Sequence, residues 1–213
     1  MVRRWILLAA LLALLVAAAA LLTVQPDPAR CALERVRSAR GWSFEELVNL
    51  TDARVLVRGN VSVSTRELFT SVVVLRGLSA ENYFVYANAS HSMIGFQGVW
   101  LAREGGWIVE DTFLYKVLSL VLSSERRSSY RQGGVTEVAF EGECGELCQR
   151  IFSELRSLAS SAAPSPLRYS GRLRVSGCVP ESIVVEFLGD KTVARVSYTV
   201  VAFDVEVSAR PAG

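Results

Sequence analysis

The four cysteines are the side chains of this sequence best suited to covalent chemistry. An even number of cysteines predicts disulfides in an oxidising compartment. Three pairings are possible, and we expect a local link between Cys144 and Cys148 and a long-range link between Cys31 and Cys178. Three residues separate the local pair, whereas a redox pair is separated by two. We therefore predict two structural disulfides rather than a redox or metal site.

Catalytic residue sets are hard to assemble from the rest of the chain. His91 is the only histidine, and no serine lies in a G-x-S-x-G motif. No phosphate-binding or dinucleotide-binding glycine pattern occurs. The acidic residues Glu141, Glu143 and Glu146 could offer oxygen ligands to calcium, but acidic residues in front of a helix also suit its dipole. We predict no enzymatic activity, no metal site and no cofactor.

Three asparagines lie in N-x-S/T sequons, which predict glycosylation of an extracytoplasmic surface. They are Asn49, Asn60 and Asn88. Around Asn60 the valines alternate with polar residues, so the period of two of a β-strand directs Asn60 to the solvent. The sequons and the cysteines together predict that this part of the chain lies outside the cytoplasm.

The segment Trp5–Val24 predicts a transmembrane helix. It contains 20 residues and no charge, which is about the length needed to cross a bilayer. Arg3 and Arg4 precede it, so residues 1–4 should form a cytoplasmic tip and residues 25–213 a single extracytoplasmic domain. We thus predict a single-pass cell-membrane protein. The alternative is a signal peptide that is cleaved, which would release the domain.

Charge and composition restrict the partners of the outer domain. After the predicted span the chain carries 21 basic and 21 acidic residues. A net charge of zero argues against a nucleic-acid surface, which would require clustered Lys and Arg. Lys116 and Lys191 are the only lysines among the basic residues, a composition typical of a heat-adapted or GC-rich source.

Hydrophobic periodicity predicts an α+β domain. One or two helices are expected within residues 28–47, followed by strands with a period of two up to a hairpin turn at residues 104–106. A helix is expected from Thr112 to about residue 131, apolar nearly all round in its first half and therefore buried. A strand, a second helix, a small-residue linker at residues 160–166 and three final strands follow. We predict a curved antiparallel sheet packed around one or two helices.

This layout resembles that of the periplasmic lipoprotein carriers, which are half-barrels with helices inside. The resemblance concerns the arrangement of helices and strands, since no sequence motif is shared.

Aromatic residues crowd two adjacent predicted hairpins and the following helix, and they indicate an apolar ligand site or docking surface. The candidates are Tyr83, Tyr86, Phe96, Trp100, Trp107 and Phe113. The leading hypothesis is a non-enzymatic, membrane-anchored domain of the cell envelope that binds a partner protein. The alternative is a carrier or sensor that holds a lipid or another apolar ligand between sheet and helix.

Overall fold

A computed structural model describes residues 26–206. The predicted membrane span 5–24 lies outside the described residues. Within residues 26–206, the helices are too short or too polar to cross a membrane. The description below therefore concerns the domain that follows the predicted span.

Within residues 26–206, three α-helices and one short 3-10 helix accompany the sheet. Helix α1 is Pro28–Ser38, α2 is Phe113–Ser123, α3 is Glu146–Leu158, and the 3-10 helix is Val109–Asp111. The side chain of Asp27 accepts a hydrogen bond from the backbone N–H of Ala29 at 2.9 Å. Thr112 caps α2 in the same way through the N–H of Tyr115. Such caps satisfy N–H groups that have no partner inside the helix.

In the part of the chain that the structure describes, eleven strands form one open, curled antiparallel sheet. They are β1 (Gly41–Leu50), β2 (Arg54–Ser62), β3 (Glu67–Arg76), β4 (Ser79–Ala87), β5 (His91–Phe96), β6 (Val99–Glu104), β7 (Arg126–Gln132), β8 (Val135–Glu143), β9 (Arg168–Ser176), β10 (Val179–Leu188) and β11 (Thr192–Phe203). The order across the sheet is β6-β5-β4-β3-β2-β1-β11-β10-β9-β8-β7. The chain thus builds one meander outward from the centre, and α2 carries it across to begin the second meander at the opposite edge.

One face of the sheet, here called the inner face, packs against the helices. Seven of the eleven residues of α2 are buried, so this helix fills the space over the centre of the sheet. At its N-terminal end the Tyr198 ring stacks between Phe44 and Phe113, with centroid distances of 5.0 and 5.7 Å. The indole N–H of Trp42 donates to the Tyr198 hydroxyl at 3.0 Å. The core is therefore continuous from β1 and β11 into the helical layer.

Both predicted disulfides are present. Cys31 of α1 is linked to Cys178 in the turn between β9 and β10, and Cys144 is linked to Cys148 at the start of α3. Each pair has a Cα–Cα distance of 5.1 Å, which suits a disulfide. The long-range link holds α1 against the second meander.

Two helical predictions were wrong. The predicted helix from Thr112 to about residue 131 ends at Ser123, and Arg126–Gln132 forms the edge strand β7. Helix geometry is likewise confined to Pro28–Ser38, while residues 41–50 form the central strand β1. Residues 41–50 pair with β11, which is distant in sequence, and Arg126–Gln132 pairs with β8 across a two-residue turn. In both places strand pairing decides the backbone conformation, and the hydrophobic periodicity of the segment does not report its partner.

Candidate functional site

The inner face is covered by helices over most of the sheet but not over the wing formed by β4, β5 and β6. Four apolar side chains of this wing point to the inner face and remain exposed, and we call them the inner strip. They are Ile94, Phe96, Val99 and Leu101, with exposed fractions of 46, 43, 61 and 68 %. An exposed apolar surface that continues from a core is typical of a binding site.

A tight hairpin positions the inner strip. Gln97 and Gly98 connect β5 to β6, and both have positive φ angles, of 50 and 81°. A two-residue turn of this kind matches the twist of the strands it joins. Ile94 therefore lies opposite Leu101, and Phe96 lies opposite Val99.

The strip joins the core through β4. Val85 pairs with Ile94, and both Val85 and Tyr83 pack against the core from the inner face. The Tyr83 hydroxyl donates to the carbonyl of Leu158 at 3.0 Å, and the Arg76 guanidinium donates to the carbonyl of Ala159. These bonds fasten the C-terminal end of α3 to the base of the wing. Burial, together with the charge of Glu81, raises the pKa of Tyr83 to about 12.

The character of the inner face changes from apolar to basic along β6. Two residues beyond Leu101 on the same face is Arg103, which pairs with Ser92 of β5 and is exposed. Among residues 26–206, no carboxylate lies within ion-pair distance of its guanidinium. The uncovered surface is therefore amphipathic, with a cation at one end.

Trp107 follows β6 and is buried beside the turn between β4 and β5. Its backbone N–H donates to the carbonyl of Asn88 at 2.8 Å. Its indole N–H is buried and has no hydrogen-bond partner among the described residues. Buried donors usually have a partner, so this N–H is an exception among the described residues.

The outer face of the wing carries a second group of aromatic side chains, here called the outer patch: Phe69, Phe84, Tyr86 and Trp100. The rings of Phe69 and Phe84 stack at 5.9 Å. The ring of Trp100 covers Gly95, where a Cβ atom would lie 2.9 Å from it. The Tyr86 hydroxyl donates to Glu67 at 2.8 Å.

The six aromatic residues proposed from the sequence are distributed over three environments. Phe96 belongs to the inner strip and Tyr83 to its margin, Tyr86 and Trp100 lie on the outer face, and Trp107 and Phe113 pack into the core. Sequence reasoning missed the aliphatic members of the strip. Their signal is the alternation on either side of Gln97–Gly98, whereas we placed the hairpin turn at residues 104–106.

Polar clefts lie elsewhere on the sheet. A cleft of about 770 Å³ opens on the outer face of β7–β11. Its walls carry cross-strand ion pairs such as Arg126–Glu141 and Arg195–Glu186, each at 3.1 Å. These charged walls are unsuited to an apolar ligand, because a charge that loses water on binding carries a desolvation cost.

One carboxyl and one amine of the covered half are buried. Glu46 is 5 % exposed and lies between Val57 and Tyr198 on the inner face. Burial raises the pKa of its carboxyl to about 8. On α2, Lys116 donates to both carboxylate oxygens of Glu154, at 2.8 and 2.7 Å.

His91 and the sequon asparagines have local partners. The His91 ring lies 3.3 Å from the Asn88 amide and 3.0 Å from the Ser90 hydroxyl. Asn49 accepts a hydrogen bond from Arg54 at 2.9 Å, and Asn60 is partly exposed on the outer face. Within residues 26–206, no cluster of three His, Cys, Asp or Glu side chains could hold a metal ion.

Comparison with known proteins reveals a likeness of fold. No protein-family model and no curated protein matches this chain. The crystal structure of LprF from Mycobacterium bovis covers 86 % of this chain and 94 % of its own, with a TM-score of 0.52 and 9 % identity. The likeness is one of fold alone. An uncharacterized conserved protein from Thermus thermophilus covers 85 % of this chain and 90 % of its own, with a TM-score of 0.49 and 13 % identity.

Proposed function

We propose that this protein is a non-enzymatic, extracytoplasmic domain at the cell membrane that binds an amphiphile with an apolar chain and an anionic head group. The observation that carries the proposal is the inner strip, an apolar surface that continues from the core and is left uncovered by the helices. Fatty acids and acidic lipids have this chemistry. The chain would lie along the strip, and Arg103 would contact the head group.

The strip provides part of the binding free energy. Full burial of one such side chain contributes about 1.5–3 kcal/mol, so four that are about half exposed contribute about 3–6 kcal/mol. About 4 kcal/mol corresponds to millimolar affinity, even before the cost of association is subtracted. A ligand bound more tightly must therefore also use polar contacts. Arg103 supplies a charge for such a contact.

Membrane location supports access to such a ligand. The two disulfides suit an oxidising compartment, and the predicted span ends at Val24, whereas α1 begins at Pro28. Three connecting residues reach about 10 Å, which would hold the start of α1 at the bilayer surface. Measuring the intact mass of the protein purified from the native membrane tests this anchoring. A mass that corresponds to a chain starting near residue 21 or 25 would mean that the segment is cleaved.

Photo-labelling of the full chain in native membranes tests ligand binding. We would compare a diazirine-bearing fatty acid with the matching neutral alkanol. Val99→Asp on the strip has a matched control in Val201→Asp on β11, because both valines are similarly exposed, by 61 and 64 %. We expect Val99→Asp to lower labelling by both probes about tenfold, since it would bury a charge against the chain. Val201→Asp should leave labelling unchanged.

The head-group contact has its own readout. Arg103→Gln should lower labelling by the fatty acid and leave labelling by the alkanol unchanged, because only the acid offers a charge to the guanidinium. Equal labelling of Val99→Asp and Val201→Asp would contradict binding at the strip. An equal loss of labelling by the fatty acid and by the alkanol in Arg103→Gln would contradict an anionic head group at that residue.

A protein partner is the second candidate, and the outer patch favours it. Phe84 and Trp100 present exposed rings on the face opposite to the strip, and the ring of Phe84 stacks on that of the partly buried Phe69. Aromatic rings are enriched in protein interfaces. A photo-crosslinking residue at position 84 should then give one discrete heavier adduct in native membranes. A matched crosslinker at Tyr130 of β7, which is 68 % exposed, should not.

A further inference from the structure

The two edges of the sheet differ in how they are protected. The edge strand β7 carries three arginines in seven residues, at positions 126, 127 and 131. The edge strand β6 begins with Val99, Trp100 and Leu101, and all six of its residues are exposed. Charged side chains discourage the pairing of an edge strand with another chain, whereas an apolar edge invites it. β6 carries charges only in its second half, at Arg103 and Glu104, so its first half lacks this protection.

The backbone of β6 is suited to pairing. Because the hairpin has a two-residue turn, Val99 and Leu101 exchange hydrogen bonds with β5, and the N–H and C=O groups of Trp100, Ala102 and Glu104 point away from the sheet. The ladder between β5 and β6 has no register shift, and β6 contains no proline. The ladder is therefore regular, and the free edge of β6 offers donors and acceptors in the regular alternation of a strand.

We propose that β6 pairs antiparallel with β6 of a second copy of this chain, about a two-fold axis at Leu101. In this register Leu101 lies opposite its own counterpart, and Trp100 lies opposite Ala102 of the other copy. Val99 lies opposite Arg103, whose aliphatic stem can cover it. Apolar residues thus meet apolar surface, and the two Arg103 side chains lie at opposite ends of the interface.

The two ends of the described residues lie far from β6. The described residues end just after β11, which lies six strands from β6, or about 29 Å along the sheet. They begin at the other edge of the sheet, where Asp27 pairs with Arg127 of β7 at 2.7 Å. A second copy can pair with β6 because an antiparallel strand is self-complementary about a two-fold axis.

Cysteine cross-linking of the full chain in native membranes tests the pairing. All four natural cysteines are in disulfides, so Leu101→Cys adds one thiol. In the proposed register the two thiols face each other across a non-hydrogen-bonded pair, where Cα atoms lie about 4.5 Å apart. Leu167→Cys is the matched control, since Leu101 and Leu167 are exposed by 68 and 67 %. We expect mild oxidation to yield at least tenfold more covalent dimer for Leu101→Cys.

Two further variants test the register and the backbone. Ala102→Cys should cross-link at least fivefold less than Leu101→Cys, because its thiols would lie diagonally across the axis. Adding Ala102→Pro to Leu101→Cys should abolish the dimer, because proline removes an N–H that points away from the monomer's own sheet. An intact link between Cys31 and Cys178 verifies the folding of each variant.

Three outcomes would overturn the inference. Equal dimer from Leu101→Cys and Leu167→Cys would show that the edges of two copies do not meet. A cross-linked product of a mass other than twice the chain would mean that another protein occupies β6. A dimer that survives Ala102→Pro would exclude backbone pairing. The pairing and the proposed ligand share the side chains of Val99, Leu101 and Arg103. They are tested separately, because cross-linking reports on the edge of the sheet and photo-labelling reports on its inner face.

Discussion

Replacing Glu46 with glutamine should stabilise the protein at alkaline pH and leave its stability almost unchanged near pH 4.5. Glu46 is a buried carboxyl on the inner face of β1, and none of the hydrogen bonds or ion pairs of the described residues satisfies it. Burial raises its pKa from 4.5 to about 8 because the charged form is disfavoured away from water. Between these two values the folded chain keeps a proton that the unfolded chain has lost.

The sign and size of the effect follow from linkage. Where the folded state binds more protons, stability falls as the pH rises. The contribution of Glu46 is therefore most favourable below about pH 4.5, decreases from there to about pH 8, and is constant above. A shift of about 3.5 pH units at 1.36 kcal/mol each corresponds to about 4–5 kcal/mol. Glutamine does not titrate, so the advantage of Glu46→Gln should grow by that amount over the same interval.

Urea unfolding of the full chain in mild detergent, followed by tryptophan fluorescence at several pH values, measures this difference. The neighbouring Glu45 provides the control, because its side chain lies on the outer face and pairs with Arg58 at 2.9 Å. Exposed ion pairs contribute about 0–1 kcal/mol to stability. The free energy of unfolding of Glu45→Gln, relative to the natural protein, should therefore show no comparable change with pH. A Glu46→Gln variant less stable than the natural protein at pH 8 would refute the reasoning, since the carboxylate would then be charged and paired.

Three other substitutions test the packing around the sheet. Glu154→Gln should destabilise the fold by about 1–2 kcal/mol in urea unfolding, because it leaves the buried Lys116 without its counter-charge while Glu154 itself is half exposed; no change would mean that water replaces the carboxylate. Replacing Cys31 and Cys178 together by serine should lower the free energy of unfolding by about 5 kcal/mol, since their disulfide closes a loop between residues that are 147 positions apart. A decrease of less than about 2 kcal/mol would contradict the chain-entropy account of this disulfide. Gly171→Ala should lower the free energy of unfolding by about 1–3 kcal/mol, because the added Cβ would overlap a backbone carbonyl oxygen of β10. An unchanged urea midpoint would show that the strands can separate locally.

The membrane span, the glycosylation of the three sequons and the absence of enzymatic activity stay predictions. The intact-mass measurement addresses the membrane span.

Covalent and local features were predictable from the sequence. The pairing of Cys31 with Cys178 and the burial of the first half of the helix that begins at Phe113 were both predicted, and the structure contains both. These features depend on residue type, compartment and the apolar character of a short segment, all of which are visible in the chain.

Tertiary structure decided which elements pair and which surfaces stay uncovered. Arg126–Gln132 is a strand because β8 lies beside it, and Glu46 faces the core because residues 41–50 pair with β2 and β11. Phe96 and Phe113 are both aromatic residues in apolar surroundings of the sequence, yet only Phe113 is covered by the core. Exposure depends on where helices distant in sequence pack over the sheet. The apolar residues of β5 and β6 therefore became a candidate site only when the fold left their inner face open.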